Sequence, residues 1–385
     1  MEHRYDAIVC GGGPAGSAAA LALARRGRRV AVLDRARFPR PKLCGGLLTW
    51  KTVRLLETVL GETVDVLAQA GAVIHRADCY RIHALGRPLA EGPLPFPFHF
   101  VDRSVFDEHL LRKAESAGAD VVEGVEVSFI DPESGAVFTR CGDSFVGEQV
   151  IGADGANSAV RRAFPRVDRE RMRRFMAPAL EITLAAGDFP RAVDCPELYV
   201  GLLEAGYGWV FPHGKTVVVG ICGLKQENVN FSTVFREYLE FLDIDPSAVP
   251  ALRAHPLPYG NYVEDPVHGR ALLAGDAAGL VEPLFGEGIF FSLCTGWYAG
   301  QAVAEGLARS VEPGPLYLRR LHRQILPELR GSDRLRWLLF RAVRHAGPVS
   351  LKWFMRAAST PLAEMVHGMR SYAWLRKKHW DFLPD

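Results

Sequence analysis

The feature that most limits how this chain can fold is Gly11-Gly12-Gly13-Pro14-Ala15-Gly16, which follows directly on the apolar run YDAIVC at 5–10. An Ala/Leu-rich helical stretch then runs to about Arg26, Gly27 stops it, a second strand covers 29–33, and Asp34 closes the unit. This order of strand, glycine turn, helix, strand and acid predicts a dinucleotide-binding βαβ unit. Gly11 turns the chain tightly off the strand, Gly13 lets a pyrophosphate approach the backbone, and Gly16 lets helix and strand pack closely. Pro14 and Ala15 open a helix whose free N–H groups and positive dipole end suit phosphate. Asp34, with Arg35 beside it, is placed to meet a ribose. The motif alone does not separate FAD from NAD.

Three later segments narrow the choice. Asp102-Arg103 opens a helix with Phe106, Leu110, Leu111 and Ala114 at helical spacing. The run QVIGADGANS at 149–158 reads as a buried strand ending in Asp154-Gly155. The run RALLAGDAAG at 270–279 is another strand, ending in Gly275-Asp276, with Pro283, Gly286, Gly288 and Ile289 leading into a long helix. In this order the segments resemble the flavoproteins of p-hydroxybenzoate hydroxylase type. The resemblance implies that Arg103 contacts the flavin pyrophosphate region, Asp154 supports the flavin and substrate side, and Asp276 meets the ribityl chain. The helix after Gly288 would aim its N-terminus at the isoalloxazine, where a reduced flavin carries negative charge. No second G-x-G-x-x-G follows a strand, so the flavin's electrons are expected from NAD(P)H docking transiently or from a reduced carrier protein.

Two further strings, Lys42-Leu43-Cys44-Gly45-Gly46 and Tyr207-Gly208-Trp209-Val210-Phe211-Pro212, resemble the geranylgeranyl reductase family. There the first segment lies near the flavin and the second lines an isoprenoid pocket. The resemblance implies reduction of prenyl double bonds, with a prenyl lipid or isoprenoid quinone as substrate. Lys42, Cys44 and Gly45 join the cofactor residues; Tyr207, Trp209, Phe211 and Pro212 bind substrate. Cys44, Gly45, Gly46, Tyr207 and Trp209 form the catalytic set. An alkene accepting hydride and a proton develops carbocation character, so aromatic faces help and water hurts. Cys44 is the proton donor this reading suggests, and resemblance places it against Cys294 as a redox-sensitive pair. Rival readings are an FAD monooxygenase or halogenase acting on a small aromatic, and a flavin-binding redox or membrane-recruitment protein without its own small substrate. Halogenases carry W-x-W-x-I-P where this chain has Tyr207 and Phe211, and Lys51 is the one lysine here that could serve their chemistry.

The expected fold is α/β (α+β overall). A discontinuous Rossmann-like FAD-binding domain takes 1–75, 101–165 and 266–310. An antiparallel-sheet substrate domain takes 76–100 and 166–265, and a helical segment takes 311–385. The Pro- and Phe-rich run from Arg87 to Phe100 resists helix and is expected to cross between domains. With Lys plus Arg at 46 and Asp plus Glu at 44, the net charge of +2 argues against a nucleic-acid partner. The tail is different: 311–385 holds 14 basic and 6 acidic residues, together with Trp337, Trp353, Trp374 and Trp380. That mixture suits a peripheral contact with anionic lipid. The uncharged run 288–304 falls short of the ~18–20 apolar residues a membrane span needs and reads as a buried helix. No signal peptide precedes the first strand, and the seven scattered cysteines form no CxxC. The expectation is therefore cytoplasmic, with the inner membrane face as the peripheral site, no metal, and no disulfide scaffold.

Overall fold

The computed structural model describes residues 3–383 apart from 85, 228, 348–350 and 375–377. Its chain order places His3–Cys10 at the centre of a mainly parallel sheet. Val30–Asp34 lies on one side of it and Ser144–Gly152 on the other, with Cys10 paired to Leu33 and to Gly152. Asp120–Glu123 extends one edge; Ala271–Leu273 and Val267–His268 extend the other. Strand order thus reverses at the carboxyl end of His3–Cys10, the place where an open α/β sheet leaves a crevice for ligand. Val30–Asp34 is buried along its whole length and His3–Cys10 from Ala7 onward, as a central parallel strand covered on both faces requires.

Two helices fill one face. Pro14–Ala24 is buried at every residue, and Ile289–Arg309 lies against it. Their approach is set by glycine. A Cβ on Gly296 would lie 2.0 Å from the Ala15 carbonyl oxygen, and one on Gly300 would lie 2.4 Å from that of Ala19. Gly16 plays the same part toward the sheet, with the Gly11 carbonyl 1.7 Å from its notional Cβ.

The second sheet has eight strands in the order Arg253–Pro258, Met176–Ala185, Thr216–Gly223, Gly206–His213, Glu197–Val200, Val73–Ala84, Arg87–Val101 and Leu47–Leu48. Every pairing is antiparallel except that of Glu197–Val200 with Val73–Ala84. One face packs on the Phe231–Phe241 helix through Ile182, Val219, Ile221, Phe235 and Tyr238. The other face looks toward the first sheet. The fold is therefore mixed α/β: a parallel dinucleotide sheet, an antiparallel sheet, and C-terminal helices Pro313–Arg320, Leu326–Ala346 and Leu351–His367.

The Pro/Phe-rich run resists helix as expected and is a strand, Arg87–Val101, paired to Val73–Ala84. Its prolines are tolerated because Leu47–Leu48 pairs only with Phe100 and His99, leaving the rest of that edge without ladder bonds to lose. The structure corrects two other expectations. Cys79 and Cys195, 116 positions apart, form a disulfide across the parallel strand pair, which no spacing in the sequence announces. The tail's tryptophans are not one surface: Trp380 is buried against Phe290 and Phe291, while Trp337 and Trp374 are exposed and the Trp353 side chain lies outside the described residues. Among the described residues no helix is long and apolar enough to cross a membrane.

The glycine contacts make a direct prediction. Gly296→Ala forces two packed backbones apart and should cost about 1–3 kcal/mol of stability. Gly187→Ala, with nothing within 4 Å of its Cβ, should leave the unfolding midpoint in place to within roughly 0.5 kcal/mol. Equal midpoints for the two variants in thermal unfolding would contradict this packing.

Candidate functional site

A cavity of about 1370 Å³ opens at the strand reversal and runs to the inner face of the second sheet. At one end lie Gly11, Gly13, Pro14 and Ala15, the turn and first residues of the buried helix. Gly11 has φ +108°, and a Cβ there would strike the Ala153 carbonyl oxygen at 2.3 Å, so only glycine turns the chain here. Asp34 lies beside the turn with Arg35; its Oδ2 accepts from Gly12 N at 2.7 Å and its Oδ1 from Ala36 N at 2.8 Å. Each oxygen keeps a lone pair for a further donor.

Arg103 is buried on the cavity wall and is gripped by Asp107, with Nε to Oδ1 and Nη2 to Oδ2 both at 2.8 Å. Arg40 adds a second cation 3.2 Å from Asp107. Burial opposes the Arg103 charge; Asp107 and Cys44 together more than offset it, so the guanidinium stays charged. Asp154 accepts from Ala159 N and Val160 N through Oδ2, whereas its buried Oδ1 has no partner, and burial raises its pKa. Asp276 lines the cavity from the turn Gly275–Ala278. Gly286, Gly288 and Ile289 follow, where Ile289–Arg309 begins with no side-chain cap on its amides.

These groups fit FAD. Two uncapped helix N-termini face one crevice, a glycine turn admits close approach, and Asp154 Oδ1 lacks a donor that a ligand can supply. Gly16, Gly275 and Pro283 do not line the cavity. Gly16 and Gly275 serve packing, the latter with φ +57° and its amide donated to Thr295 Oγ1. The Pro283 carbonyl instead meets Arg336 Nη1 at 3.5 Å.

The aromatic strand Gly206–His213 supplies the opposite wall. Alternation places Tyr207, Trp209 and Phe211 on the cavity face and turns Pro212 away from it, so Pro212 is corrected from a substrate contact to a structural residue. The Lys42–Gly46 turn is built against this strand. A Cβ on Gly45 would lie 2.7 Å from the Phe211 ring; Gly46 has φ +63°, and its notional Cβ lies 2.4 Å from the Val101 carbonyl oxygen. His213 Nε2 hydrogen-bonds the Gly45 carbonyl at 2.9 Å. Cys44 Sγ accepts from Gly46 N at 3.4 Å and also hydrogen-bonds Arg103. Cys294 is buried with its thiol toward the Phe382 carbonyl, and burial pushes its pKa up to about 12. Both cysteines are free and the structure does not pair them.

Several site residues escaped the sequence reading. Asp107 was accessible as the i,i+4 partner of Arg103. His255, which accepts a hydrogen bond from Lys42 Nζ, carried no signal; burial, helped by the nearby Lys42, Arg103, Arg35 and Arg40, lowers its pKa to about 4. Burial also lowers the Lys42 pKa, against the pull of Asp276. Glu181 lies on the cavity wall, where burial raises its pKa to about 7.

Comparison with known proteins agrees with this geometry. A family profile described as an FAD binding domain matches residues 4–309. A geranylgeranyl diphosphate reductase of Rhodobacter capsulatus is 34% identical over 82% of this chain and 79% of its own length. The chain belongs to the geranylgeranyl reductase family of FAD-dependent oxidoreductases. A menaquinone reductase of Mycobacterium tuberculosis is 32% identical over 80% of this chain and 79% of its own. The crystal structure of a geranylgeranyl bacteriochlorophyll reductase-like protein from Thermoplasma acidophilum superposes with a TM-score of 0.76. It covers 95% of this chain and 92% of its own at 22% identity, a likeness of fold.

The Arg103–Asp107 grip is testable through flavin retention. Asp107→Ala leaves a buried guanidinium without its bidentate partner, a loss of about 3–5 kcal/mol. The purified variant should carry less flavin per protein by absorbance and unfold earlier. Full flavin content with an unchanged midpoint would show that Asp107 does not hold this site.

Proposed function

We propose that this oxidoreductase saturates carbon–carbon double bonds in the polyprenyl chain of a lipid or quinone. The observation that carries the reading is one continuous cavity with a dinucleotide end and an aromatic, apolar end. Its volume of about 1370 Å³ exceeds the ~300–1,000 Å³ of an ordinary small-molecule pocket, leaving room for a long apolar ligand beside FAD. Relatives named for geranylgeranyl and menaquinone substrates support the same class.

When bound and reduced, FAD supplies a hydride. The chain's own residues hold it and keep the reaction dry. Gly11, Gly13, Pro14, Ala15, Asp34, Arg35, Arg103, Asp154, Gly155, Asp276, Gly286, Gly288 and Ile289 form the dinucleotide end. Lys42, Cys44, Gly45 and Gly46 join it to the substrate end. Tyr207, Trp209 and Phe211 form the apolar wall, with successive ring centroids 6.1 and 6.3 Å apart. Tyr207 donates its hydroxyl to the Phe285 carbonyl, which fixes the ring as wall rather than as a proton source. Met355 and Leu362 of the C-terminal helix close the far side, and a smaller apolar cavity of about 70 Å³ lies beyond Tyr207 and Phe285. A tail entering here meets aromatic faces that stabilise the positive charge developing on a protonated alkene. One dinucleotide crevice implies that the electrons reach FAD from NAD(P)H or a carrier protein at the surface.

Halogenase chemistry fits poorly. Lys51 is wholly buried, donates to Glu287 and to the Val366 carbonyl, and does not line the cavity. Its amine is therefore not presented to the substrate wall.

Removing the central aromatic face tests the assignment. Trp209→Ala should slow prenyl double-bond reduction by roughly 30-fold, from the loss of about 2 kcal/mol of desolvated cation–π stabilisation, and should keep its flavin. Reduction at the wild-type rate in product-mass assays would show that this strand does not wall the reacting chain.

A further inference from the structure

The substrate wall carries one buried acid. Ala179, Trp209, Val218 and Cys222 pack together on the inner face of the second sheet. Glu181, two residues after Ala179 on Met176–Ala185, shares that face and lines the cavity. Its side chain is 5% exposed, and its Oε2 is buried without a hydrogen-bond partner. No described residue forms an ion pair with it.

Strand register aligns this acid with the aromatic wall. Glu181 sits opposite Gly220, and Gly220 sits opposite Trp209. The indole fills the space over Gly220, where a Cβ would lie 2.2 Å from Trp209 Cζ2 and 2.6 Å from the Leu180 carbonyl oxygen. Acid and indole therefore occupy one cross-strand row, and Trp209 Nε1 is likewise buried and unpartnered. The charged and titratable groups around Glu181 are Arg253, its register partner, and His255 on Arg253–Pro258, Lys42 from the Lys42–Gly46 turn, and Cys222 on Thr216–Gly223. The C-terminal helix contributes Met355, Ser359, Leu362, Ala363 and Val366 to the cavity, none of which titrates.

A bare carboxylate with an unpaired oxygen is costly in such a wall, and no hydrogen bond offsets it, so the protonated acid is the favoured form. Burial raises the Glu181 pKa and Arg253 and Lys42 moderate the rise, leaving it at about 7, so the carboxyl can both hold and give up its proton near neutral pH. A general acid needs that balance. Cys44 is not aimed at the substrate wall: its sulfur is turned to the Gly46 amide and to Arg103.

We propose that Glu181 is the catalytic acid of this site, giving its carboxyl proton to one carbon of the prenyl double bond while the other carbon takes a hydride from reduced FAD. The inference rests on the prenyl-reductase reading. The alkene π pair forms the new C–H bond to the proton, and the broken O–H bond leaves its electrons on the Glu181 carboxylate. The hydride brings two electrons, so the alkene is reduced and FAD is oxidised. Lys42 and Arg253 stabilise the carboxylate just formed, and a proton from solvent restores the acid before the next turnover.

Glu181→Gln tests this with little change of shape. Dithionite-reduced holoenzyme is mixed anaerobically with a geranylgeranyl lipid across the neutral pH range, and flavin reoxidation and product mass are followed. The wild-type rate constant should fall as pH rises through about 7, where the acid loses its proton. Glu181→Gln should be ~10²–10⁴-fold slower and lack that limb, with unchanged flavin content and lipid affinity; Glu181→Asp should recover part of the rate. Infrared difference spectra should show a protonated carboxyl band that titrates in the wild type and is missing in Glu181→Gln. A Gln variant with wild-type rate or the same pH limb, or a wild type without the band, would overturn the assignment. A wild type that reduces no prenyl bond would instead overturn the reading beneath it.

Discussion

Backbone contact between two helices governs the rest of this structure. Gly296 and Gly300 let Ile289–Arg309 settle directly on the carbonyls of Ala15 and Ala19, at distances no larger residue allows. Both helices begin at the reversal point of the parallel sheet, so the contact points two uncapped N-termini into one crevice. Neither helix has an acidic residue in its first turn to consume that field. Partial positive charge is therefore available to a phosphate at one end and to a reduced flavin ring at the other.

The second sheet provides the opposite environment. Its inner face is built from alternating positions on adjacent strands; Gly220 leaves room for the Trp209 ring, and Gly45 in the facing turn leaves room for the Phe211 ring. The C-terminal helices then lock on from the far side. Lys51 binds Glu287 and the Val366 carbonyl, so one buried ammonium ties an early helix, the approach to the long helix, and Leu351–His367 together. Cation–π contacts of Lys51 with Phe290, Phe291 and Trp380 reinforce the same junction. Glu181, buried and unpaired on the substrate wall, carries more weight there than it would at a surface.

Much of the dinucleotide end was legible because its chemistry is written in local order. Gly11, Gly13, Asp34, Arg103, Asp154 and Asp276 each stand at the end of a readable strand or the start of a readable helix. The wall was legible at Tyr207, Trp209 and Phe211, since period-2 alternation fixes their common side. It misled at Pro212, which a string treats as part of the motif and a pleat turns outward. Partners brought together by tertiary packing were not readable: Lys42 with His255, Glu181 with Gly220 and Trp209, Cys79 with Cys195. Glu181 did leave a trace, an acid inside the buried-strand pattern ALEITL, where a charge has no business without a role. The basic tail showed the limit of composition, because charge and tryptophan counts say nothing of which tryptophan is packed inward.

The central claim is that reducing equivalents pass from a held flavin into a prenyl chain within one dry cavity. The most direct measurement is the stoichiometry of reoxidation without oxygen. Chemically reduced protein mixed with a geranylgeranyl lipid under strict anaerobiosis should regain the oxidised flavin spectrum, with one double bond saturated, seen as two hydrogens gained by mass, for each flavin reoxidised. Protein that stays bleached beside unchanged lipid, and recovers its colour only when oxygen is admitted, would contradict the account.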